Sequence, residues 1–476
     1  MALSRRVKSV LQATLFIASI SVLLTTLKQY RANSASPYLQ FRPFGLRESS
    51  TDQSDTKHDG ISSPTPTKIV ESENTMVQTT VSLVFGSTQS APTLVNQPQR
   101  MGDATLLAQA ATYVRAILNS SDTTFDRLEC PNSDLSRYEN LRNDVGRSGN
   151  DRSPRYYFAL DLHQCIYILP RLIGSILQAI RYLGPENCVL SIVEGRSEDG
   201  TYETLSELRA DLHRLGVRYN LQTSGMDPKS EGADRVAVLA QLRQLAVQDL
   251  AENPSSYADD TTVVFLNDVA LCREDILELI HQKKFQEAHI TCAMDWTYLG
   301  EHPSFYDVWI ARGMTGDTFF PIPPDGSYDQ HWNLFWNDEK AHARWSSNMP
   351  FQVFSCWNGI TAFTAKPIME GKVGFRKKNE EECYQGEPSL FSKDMWWAGY
   401  GRVAVVPSIN LEYSDSAAKK IKALKGYVQD NVKGQDGREG IKIEWEKEPP
   451  KEVKCMPTHD RQSFVPWNEG LPQVAS

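Results

Sequence analysis

The chain has 476 residues, a formal net charge of −9 at pH 7 and a pI near 5.6. This length suffices for two or three domains, or for one large catalytic domain with flanking segments. The negative charge argues against a nucleic-acid partner, because proteins that bind a phosphate backbone carry a basic surface. The eight cysteines are too sparse to define a disulfide scaffold, and since no C-x-x-C pair occurs, the sequence disfavours a zinc ribbon.

The N-terminal part predicts membrane attachment and a spacer. Basic residues within positions 1–8 precede an uncharged run over 9–27, which is just long enough to cross a bilayer as a helix. This predicts a cytoplasmic tail over 1–8, a transmembrane signal anchor over 9–27 and a luminal remainder, with a cleaved signal peptide as the alternative. Residues 28–100 are rich in Ser, Thr and Pro, which predicts a disordered stem. The acceptor sequon at Asn119 agrees with a luminal glycoprotein.

Strand and helix signals alternate from residue 154 onward. Before them, a helical lead-in is predicted over 101–153, because Leu106, Ala110 and Val114 fall on one helix face. The alternation predicts parallel βαβ units, and hence a mostly parallel sheet flanked by helices. Strands are predicted over Tyr156–Leu162, Cys188–Val193, Val217–Leu221, Val263–Asn267, Ile290–Met294, Ile360–Thr364 and Arg402–Pro407, and helices over Ile166–Leu183, Thr201–Leu215 and Asp234–Leu250.

One predicted strand ends in a carboxylate. Val263–Asn267 is an apolar run typical of a strand buried on both faces of a sheet, and Asp268 follows it directly. In an open α/β sheet, the carboxyl ends of the parallel strands form the ligand crevice. A carboxylate placed there can hold a divalent metal, and the metal can hold a diphosphate. The alternative is that Asp268 caps a helix predicted over Arg273–Ile280.

A second polar loop leaves a predicted strand and enters a helix. Gly195 and Gly200 permit turns there, and Glu194 at the strand's end is placed to accept hydrogen bonds from a ribose or a base. Ser197 and Thr201 are suitable helix N-cap residues. From the residues alone, a ligand loop and an ordinary β–α turn are equally good interpretations.

Several segments, taken in order and spacing, carry a resemblance. They are Glu194–Thr201, Leu239–Arg243, Phe265–Val269 with Cys272 and Asp275–Leu279, Cys292–Trp296, Phe305–Trp309 with Arg312, and Ser355–Gly359. The first resembles the acidic Ser-x-Asp-Gly-Thr loop of nucleotide-sugar glycosyltransferases with the GT-A fold, and Phe265–Val269 falls where those enzymes carry an Asp-x-Asp metal motif. Together the segments resemble the fungal α-1,3-mannosyltransferase family that includes the cryptococcal capsule-associated proteins.

This resemblance implies a GT-A-like, Rossmann-like catalytic domain over 154–415 and a retaining transfer of mannose from GDP-mannose to a mannose-containing glycan acceptor. It also implies a divalent metal, Mn²⁺ or Mg²⁺, bound by Asp268. Leu266 replaces the first acid of Asp-x-Asp, so a helper carboxylate is needed, and Asp295 and Asp394 are the candidates. The metal would neutralise charge on the departing GDP.

The same resemblance gives the other candidate site residues. For Asn358 the alternative is a side chain that closes a turn, and for the tryptophans it is core filling. The candidates for binding the nucleotide sugar are Glu194, Asp199, Arg235, Arg243 and Asn267, those for catalysis are Asp394, Glu382 and Asp295, and those for the acceptor are Trp357, Asn358 and Trp296.

The resemblance further implies a single-pass type II protein of the Golgi membrane, with its catalytic domain in the lumen, acting in capsule or cell-wall glycan synthesis. Residues 416–476 are predicted to be a charged, peripheral extension. In an oxidising lumen we expect Cys356 to pair with Cys383. By contrast, Cys165, Cys188, Cys272 and Cys292 are expected to be buried free thiols.

Two other functions stay open at this stage. One is a non-catalytic relative that acts in capsule polysaccharide assembly or export, for which the loss of the first metal-motif acid at Leu266 is the argument. The other is a transferase of the same fold that uses a different nucleotide sugar, with xylose or glucuronate as the donor sugar.

Overall fold

The computed structural model describes residues 102–142, 153–435 and 440–472. The predicted tail, anchor and stem over 1–100 lie outside the described residues. Within the described ranges, no helix has the length and apolar character needed to cross a membrane. The helical lead-in is present, since a helix capped by the Asp103 carboxylate begins at Ala104.

The described residues form eleven strands and thirteen α-helices, with three short 3₁₀ turns between them. The strands are β1 Tyr156–Leu162, β2 Cys188–Glu194, β3 Arg218–Thr223, β4 Thr262–Leu266, β5 Ile290–Leu299, β6 His302–Phe305, β7 Phe351–Gln352, β8 Ile360–Thr364, β9 Val403–Leu411, β10 Glu452–Thr458 and β11 Arg461–Pro466. The helices are α1 Ala104–Leu118, α2 Glu139–Arg142, α3 Leu169–Leu183, α4 Thr201–Glu207, α5 Arg209–Arg214, α6 Arg235–Ala246, α7 Gln248–Glu252, α8 Arg273–Phe285, α9 Glu339–Ser346, α10 Lys366–Met369, α11 Glu387–Trp397, α12 Asp415–Lys425 and α13 Val428–Asn431.

Nine strands form one sheet in the order β3-β2-β1-β4-β8-β5-β9-β7, with β6 paired to β5. Strands β1 to β5 and β9 run in one direction, because β1, β2, β3 and β4 pair in parallel and β8 is antiparallel to both β4 and β5. Their carboxyl ends therefore share one edge. The predicted α/β class with a mostly parallel sheet is confirmed.

Helices cover both faces of this sheet. Alternate residues of β1 point to opposite sides, so that Tyr157 and Ala159 pack with Leu242 of α6, whereas Phe158 and Leu160 pack into the core formed by α3 and α8. All of these side chains are buried. Burial on both faces explains why the parallel strands are nearly continuous apolar runs in the sequence.

Most predicted elements have nearly the predicted bounds, and the differences have local causes. β1 and β8 begin and end where they were predicted. The helix predicted over Thr201–Leu215 is interrupted at Leu208, and that predicted over Asp234–Leu250 is interrupted at Val247, whose φ and ψ leave the helical region. β9 is longer than predicted, because Pro407 falls inside it at the bulge in its pairing with β5.

The cysteine predictions are partly wrong. Disulfides join Cys130 to Cys272, Cys292 to Cys356 and Cys383 to Cys455, with Cα–Cα distances of 5.6, 6.1 and 5.8 Å. The predicted pair of Cys356 and Cys383 is therefore wrong, because each has a different partner nearer in space. Cys272 and Cys292 are not free thiols, whereas Cys165 and Cys188 are free and buried as predicted.

The C-terminal segment is not peripheral in its described part. The Lys422 ammonium of α12 lies 2.7 Å from the Asp275 carboxylate of α8, and both side chains are 1% exposed. Farther on, the antiparallel β10–β11 hairpin is tied to the sheet-bearing body through Cys455. Charge had indicated a solvated tail, but this lysine serves as the buried partner of a carboxylate.

We predict that Lys422→Ala destabilises the chain by about 3–5 kcal/mol, because it leaves the Asp275 carboxylate buried without its countercharge. Denaturant unfolding of the purified chain measures this. Lys433→Ala is the matched control, since Lys433 pairs with Asp430 at the surface and its loss should cost no more than about 1 kcal/mol. Equal unfolding midpoints for the two variants would contradict the structural importance of the buried pair.

Candidate active site

The common carboxyl edge of the sheet gathers acidic side chains from four strands. β1 contributes Asp161, β2 ends at Glu194, β4 is followed by Asp268, and β5 contains Asp295. The loop after β6 adds Asp307. These five residues are called the acidic cluster below, and the prediction that this edge carries carboxylates at strand ends is met by the fold.

Asp268 lies in the loop between β4 and α8. That helix begins at Arg273, and its N-terminus is closed by Cys272, whose backbone N–H donates to the Asp275 carboxylate at 2.8 Å. The alternative that Asp268 caps this helix is therefore wrong. Burial raises the pKa of Asp268, while a hydrogen bond with Tyr167 acts in the opposite direction.

Asp161 is a site residue that the sequence analysis missed. Burial raises the pKa of its carboxyl group to about 7 against the lowering effect of the positive Arg243, and the negative charges of Glu387, Asp268 and Glu194 raise it further. A carboxyl that titrates near neutral pH can hold or release a proton under working conditions. A signal was present, because Asp161 is the one charged residue in the sequence of β1.

Arg243, predicted to bind the donor, is the cation among these acids. It projects from α6 and forms an ion pair with Glu387 at the start of α11. Its guanidinium lies over the Trp357 ring, 4.9 Å from the centroid, so that the cation is also held by the aromatic face. Its buried Nε has no hydrogen-bond partner among the described residues. The Nε–H of Arg243 is thus a donor that the described chain leaves unpaired.

Asp295, which is fully buried, and Asp307, which is half-buried, form an interacting pair of carboxyls. Burial, together with the charge of Asp307, raises the pKa of Asp295 well above its usual value, and burial raises that of Asp307 to about 6. The Tyr413 hydroxyl donates to Asp295 Oδ2 at 2.7 Å, whereas the buried Oδ1 has no hydrogen-bond partner in the described part of the chain. Burial thus favours the neutral form of Asp295, and its Oδ1 is the carboxyl oxygen without a partner among the described residues.

The predicted acceptor residues serve inside the fold. Asn358 has a positive φ of 54°, and its side chain closes a turn by donating to the Ala293 carbonyl at 2.8 Å and accepting from the Trp357 N–H at 3.2 Å. Trp357 is 2% exposed and donates from its ring to Asn267. Trp296 is also 2% exposed and donates to Asn410. In each case the structural alternative accounts for the contacts observed.

The acidic loop after β2 is fastened to the loop after β1. The side chains of Ser197, Asp199 and Thr201 accept hydrogen bonds from three successive backbone N–H groups, those of residues 164, 166 and 165 respectively, at 2.9 to 3.0 Å. Asp199, which was predicted to bind the nucleotide sugar, thus uses its carboxylate to hold the loop after β1. Glu194 accepts from the Ser197 N–H with one carboxylate oxygen and lies close enough to Asp161 to raise its pKa.

Glu382 and Asp394, predicted as catalytic, meet around cations away from the acidic cluster. The Arg376 guanidinium is bidentate to each carboxylate at 2.7 to 3.0 Å, and Lys393 donates to Glu382 at 2.7 Å. Although burial opposes the shift, these partners lower the pKa of Glu382 to about 2, whereas burial outweighs Arg376 at Asp394 and raises its pKa. The carboxylates are paired, which also removes Asp394 as a helper for Asp268.

The remaining donor-binding candidates differ in position. Asn267 lies beside the crevice, where its Oδ1 accepts from the Trp357 ring and its backbone N–H donates to the Gly359 carbonyl at 2.9 Å. Arg235 is exposed at the first position of α6, and its positive charge acts to lower the pKa of Tyr306, which burial raises. Its long side chain is free to reach a phosphate or a ribose at the mouth of the site.

The acidic cluster offers oxygen ligands for a divalent cation. Oxygen donors suit Mg²⁺ and Mn²⁺, and such ions need only one or two protein carboxylates when substrate phosphates supply other ligands. Within the described residues, no group of three or more metal-ligating side chains stands close enough to form a complete cage. Asp268 and its neighbour Asp161 fit the smaller requirement, because both are acids at the strand ends and neither carboxylate forms an ion pair in the described chain.

Comparisons with known proteins assign the chain to a family. A family model described as cryptococcal mannosyltransferase 1 matches residues 155–394, half of the chain. The α-1,3-mannosyltransferase CMT1 of Cryptococcus neoformans var. neoformans serotype D is 35% identical over 323 residues, which cover 64% of this chain and 68% of that protein.

Two solved structures align at low similarity. TarS 1–349 of S. aureus is 10% identical, and the alignment covers 60% of this chain and 67% of TarS. The mannosyltransferase PcManGT of Pyrobaculum calidifontis, in complex with GDP-Man and Mn²⁺, is 13% identical, and the alignment covers 67% of this chain and 71% of PcManGT. Both give a TM-score of 0.32, which is too weak to transfer a site, a ligand or a metal.

We predict that the Glu382→Gln variant is less stable than the wild type, because Arg376 and Lys393 lose the carboxylate with which both form ion pairs. The pKa of Glu382 is depressed from 4.5 to about 2 in the fold. Its contribution is therefore complete above pH 4.5 and is lost as the pH falls towards 2. At pH 7 the free energy of unfolding of the variant should be about 3–5 kcal/mol lower than that of the wild type. Between pH 7 and pH 3 this free energy should change less in the variant than in the wild type.

Glu380→Gln is the control for this experiment, since Glu380 is an exposed neighbour in the sequence. A Glu382→Gln variant that unfolds like the wild type but no longer transfers sugar would return Glu382 to the catalytic role that the resemblance implied.

Proposed function

We propose the reaction of this chain from the premise that it belongs to the cryptococcal mannosyltransferase 1 family and is a glycosyltransferase. The reaction is a retaining transfer of mannose from GDP-mannose to a mannose-containing glycan, with formation of an α-1,3 bond. The similarity to CMT1, which bears the name α-1,3-mannosyltransferase, supports the donor sugar and the linkage. We further propose that the sheet and its helices are a GT-A-like nucleotide-sugar domain.

The observation that carries this proposal is the acidic cluster at the carboxyl edge of the sheet. Five carboxyl groups lie at this edge, and Arg243, whose charge lowers the pKa of Asp161 and of Asp307 against burial, is already paired with Glu387. An anionic diphosphate would be repelled from such a site unless a cation accompanied it. The charge of the site therefore favours a nucleotide diphosphate that binds together with a divalent metal, and disfavours a free anionic ligand.

Asp268 is the residue that we assign to hold this metal, with Asp161 beside it. When bound, the metal supplies positive charge to the diphosphate that leaves with GDP. Leu266, at the position of the first metal-motif acid, is a fully buried residue of β4 and packs in the core. The second acid of the site then comes from the neighbouring strand β1 and not from β4, which removes the main argument for a non-catalytic relative.

The chain's own groups perform the remaining tasks. Arg243 is held in place by Glu387 and by the Trp357 ring. Its unpaired Nε–H can donate a hydrogen bond to an oxygen of the nucleotide sugar. Asp161, whose pKa is raised to about 7 in the fold, releases its proton when it serves as the second acid of the metal site. The Asp295 carboxyl, whose pKa burial raises well above its usual value, has its Oδ1 unpaired among the described residues and can form a hydrogen bond with a sugar hydroxyl.

The disulfides support the proposed location. Six of the eight cysteines form three disulfides, which is the pattern of a protein that folds in an oxidising compartment. We therefore keep the proposal of a type II protein of the Golgi membrane with a luminal catalytic domain. The side chain of Asn119 is exposed, as glycosylation of the sequon requires.

The proposed reaction is tested with the purified chain, Mn²⁺ and a mannoside acceptor, offered GDP-mannose, UDP-xylose or UDP-glucuronate in parallel. We expect transfer from GDP-mannose, with an α-1,3 linkage identified by NMR of the product. Transfer from one of the UDP-sugars would assign another donor. Metal-dependent binding of GDP-mannose without turnover would instead support a non-catalytic member.

We predict that Asp268→Asn lowers the transfer rate about a thousandfold or more, because a neutral amide no longer holds the metal beside the diphosphate. The thermal midpoint should stay near that of the wild type, since the amide preserves the shape of the side chain and avoids burying a charge. Binding of GDP-mannose in the presence of Mn²⁺ should weaken as well. Asp259→Asn, an exposed acid before β4, is the control. A folded variant with wild-type turnover would remove Asp268 from the metal site.

A further inference from the structure

Two tryptophans of the described surface are large, apolar and exposed. Trp332 is 69% exposed and Trp336 is 46% exposed, whereas most indoles in folded chains are largely buried. Between them, Leu334 and Phe335 are buried, and the Phe335 ring contacts Phe351 at 4.7 Å between centroids. The segment is therefore anchored through its middle, and this anchoring holds both indoles at the surface.

This segment lies against the tip of the β5–β6 hairpin. The His331 and His302 rings are 6.4 Å apart between centroids, and His302 pairs across the hairpin with the exposed Leu299. The other end of the hairpin belongs to the active site, because β5 carries Asp295 and the exposed Tyr306 follows β6. Asp295 and Leu299 are four positions apart along β5, which corresponds to about 13 Å at about 3.3 Å per residue.

The chemistry of the segment restricts its partner. Residues 325–339 contain four acidic residues and no lysine or arginine. A surface of this charge is repelled by anionic lipids and by nucleic acids. Exposed Asp329 and Gln330 and the partly exposed Asn333 lie within two residues of an indole or of His331. An aromatic face bordered by amides and carboxylates suits a neutral ligand that has both apolar faces and many hydroxyl groups.

We propose that Trp332 and Trp336, together with the tip of the β5–β6 hairpin, bind the acceptor glycan at sugar units remote from the one that receives the new residue. The inference rests on the proposed function, since it assumes that the acceptor is a mannose-containing chain. The indoles stack on the C–H faces of sugar rings, and the neighbouring carboxylates and amides bind hydroxyl groups. A span of about 13 Å exceeds a single sugar ring, so that the surface selects oligosaccharides over monosaccharides.

The test compares wild type with the double variant Trp332→Ala/Trp336→Ala on a single mannoside and on a mannose oligosaccharide. We expect the ratio of kcat/KM for the long acceptor to kcat/KM for the short one to fall about tenfold, because aromatic contacts of this kind are lost for the long acceptor alone. The loss should lie in KM for the oligosaccharide. The double variant with phenylalanine at both positions should recover part of the ratio, because phenylalanine keeps an aromatic face.

Leu424→Ala is the matched control, since Leu424 is 63% exposed on α12 and should keep the wild-type ratio. An unchanged ratio in the double alanine variant overturns the proposal. So does a variant that loses both acceptors equally, which would indicate damage to the active site. A wild type that self-associates while the variant is monomeric, with equal ratios, would assign the surface to a dimer interface.

Failure of the proposed function gives a different result from failure of this surface. If the wild type transfers no sugar from any donor, the mannose oligosaccharide is titrated into wild type and variant while line broadening of its NMR signals is followed. Broadening by the wild type that the double alanine variant lacks supports the surface even then. Equal broadening, or none in either, overturns it.

Discussion

The reversed strand β8 determines where the functional groups meet. It lies between β4 and β5 and is antiparallel to both, with Ile360 paired to Leu266. Its entering turn, Trp357–Gly359, is therefore delivered to the edge where the parallel strands end. The Cβ that any residue other than glycine would add at position 359 would approach Asp295 Cβ to 3.3 Å, and φ there is 79°. Glycine lets the turn close directly over Asp295, so that β4, β5 and β8 contribute to one site.

Burial of acids at this edge gives the site its chemistry. A carboxylate in solution is ionised at neutral pH, but here burial raises the pKa values of Asp161, Asp268, Asp295 and Asp307 together. Keeping these groups close costs free energy unless protons or a cation are present. The fold thus retains carboxyls that exchange protons near neutral pH beside others that a metal ion would stabilise.

The sequence predicted seven of the nine strands of the sheet and the position of Asp268 after β4, because apolar runs are local signals, whereas the short strands β6 and β7 were not predicted. It did not give the partners of side chains that meet through the tertiary fold. Glu382 and Asp394 are carboxylates of the kind that act in catalysis, but both form ion pairs with Arg376. These pairs join residues that are 6 and 18 positions apart in the chain. Asp161 was overlooked for the opposite reason, since one acid within an apolar strand has no motif around it. The disulfide partners of Cys356 and Cys383 likewise depend on approaches that spacing does not encode.

The charged C-terminal segment is connected to the active site through α11. Cys455 fixes the β10–β11 hairpin to Cys383, and the Arg376 cluster fastens the same region to the body of α11 through Asp394. The first residue of that helix is Glu387, which holds Arg243 over the Trp357 ring. A segment without a motif of its own thereby helps to fix the position of a cation that acts on Asp161 and Asp307. The helix that orients Arg243 is therefore held by residues from both sides of position 415, where the resemblance placed the end of the catalytic domain.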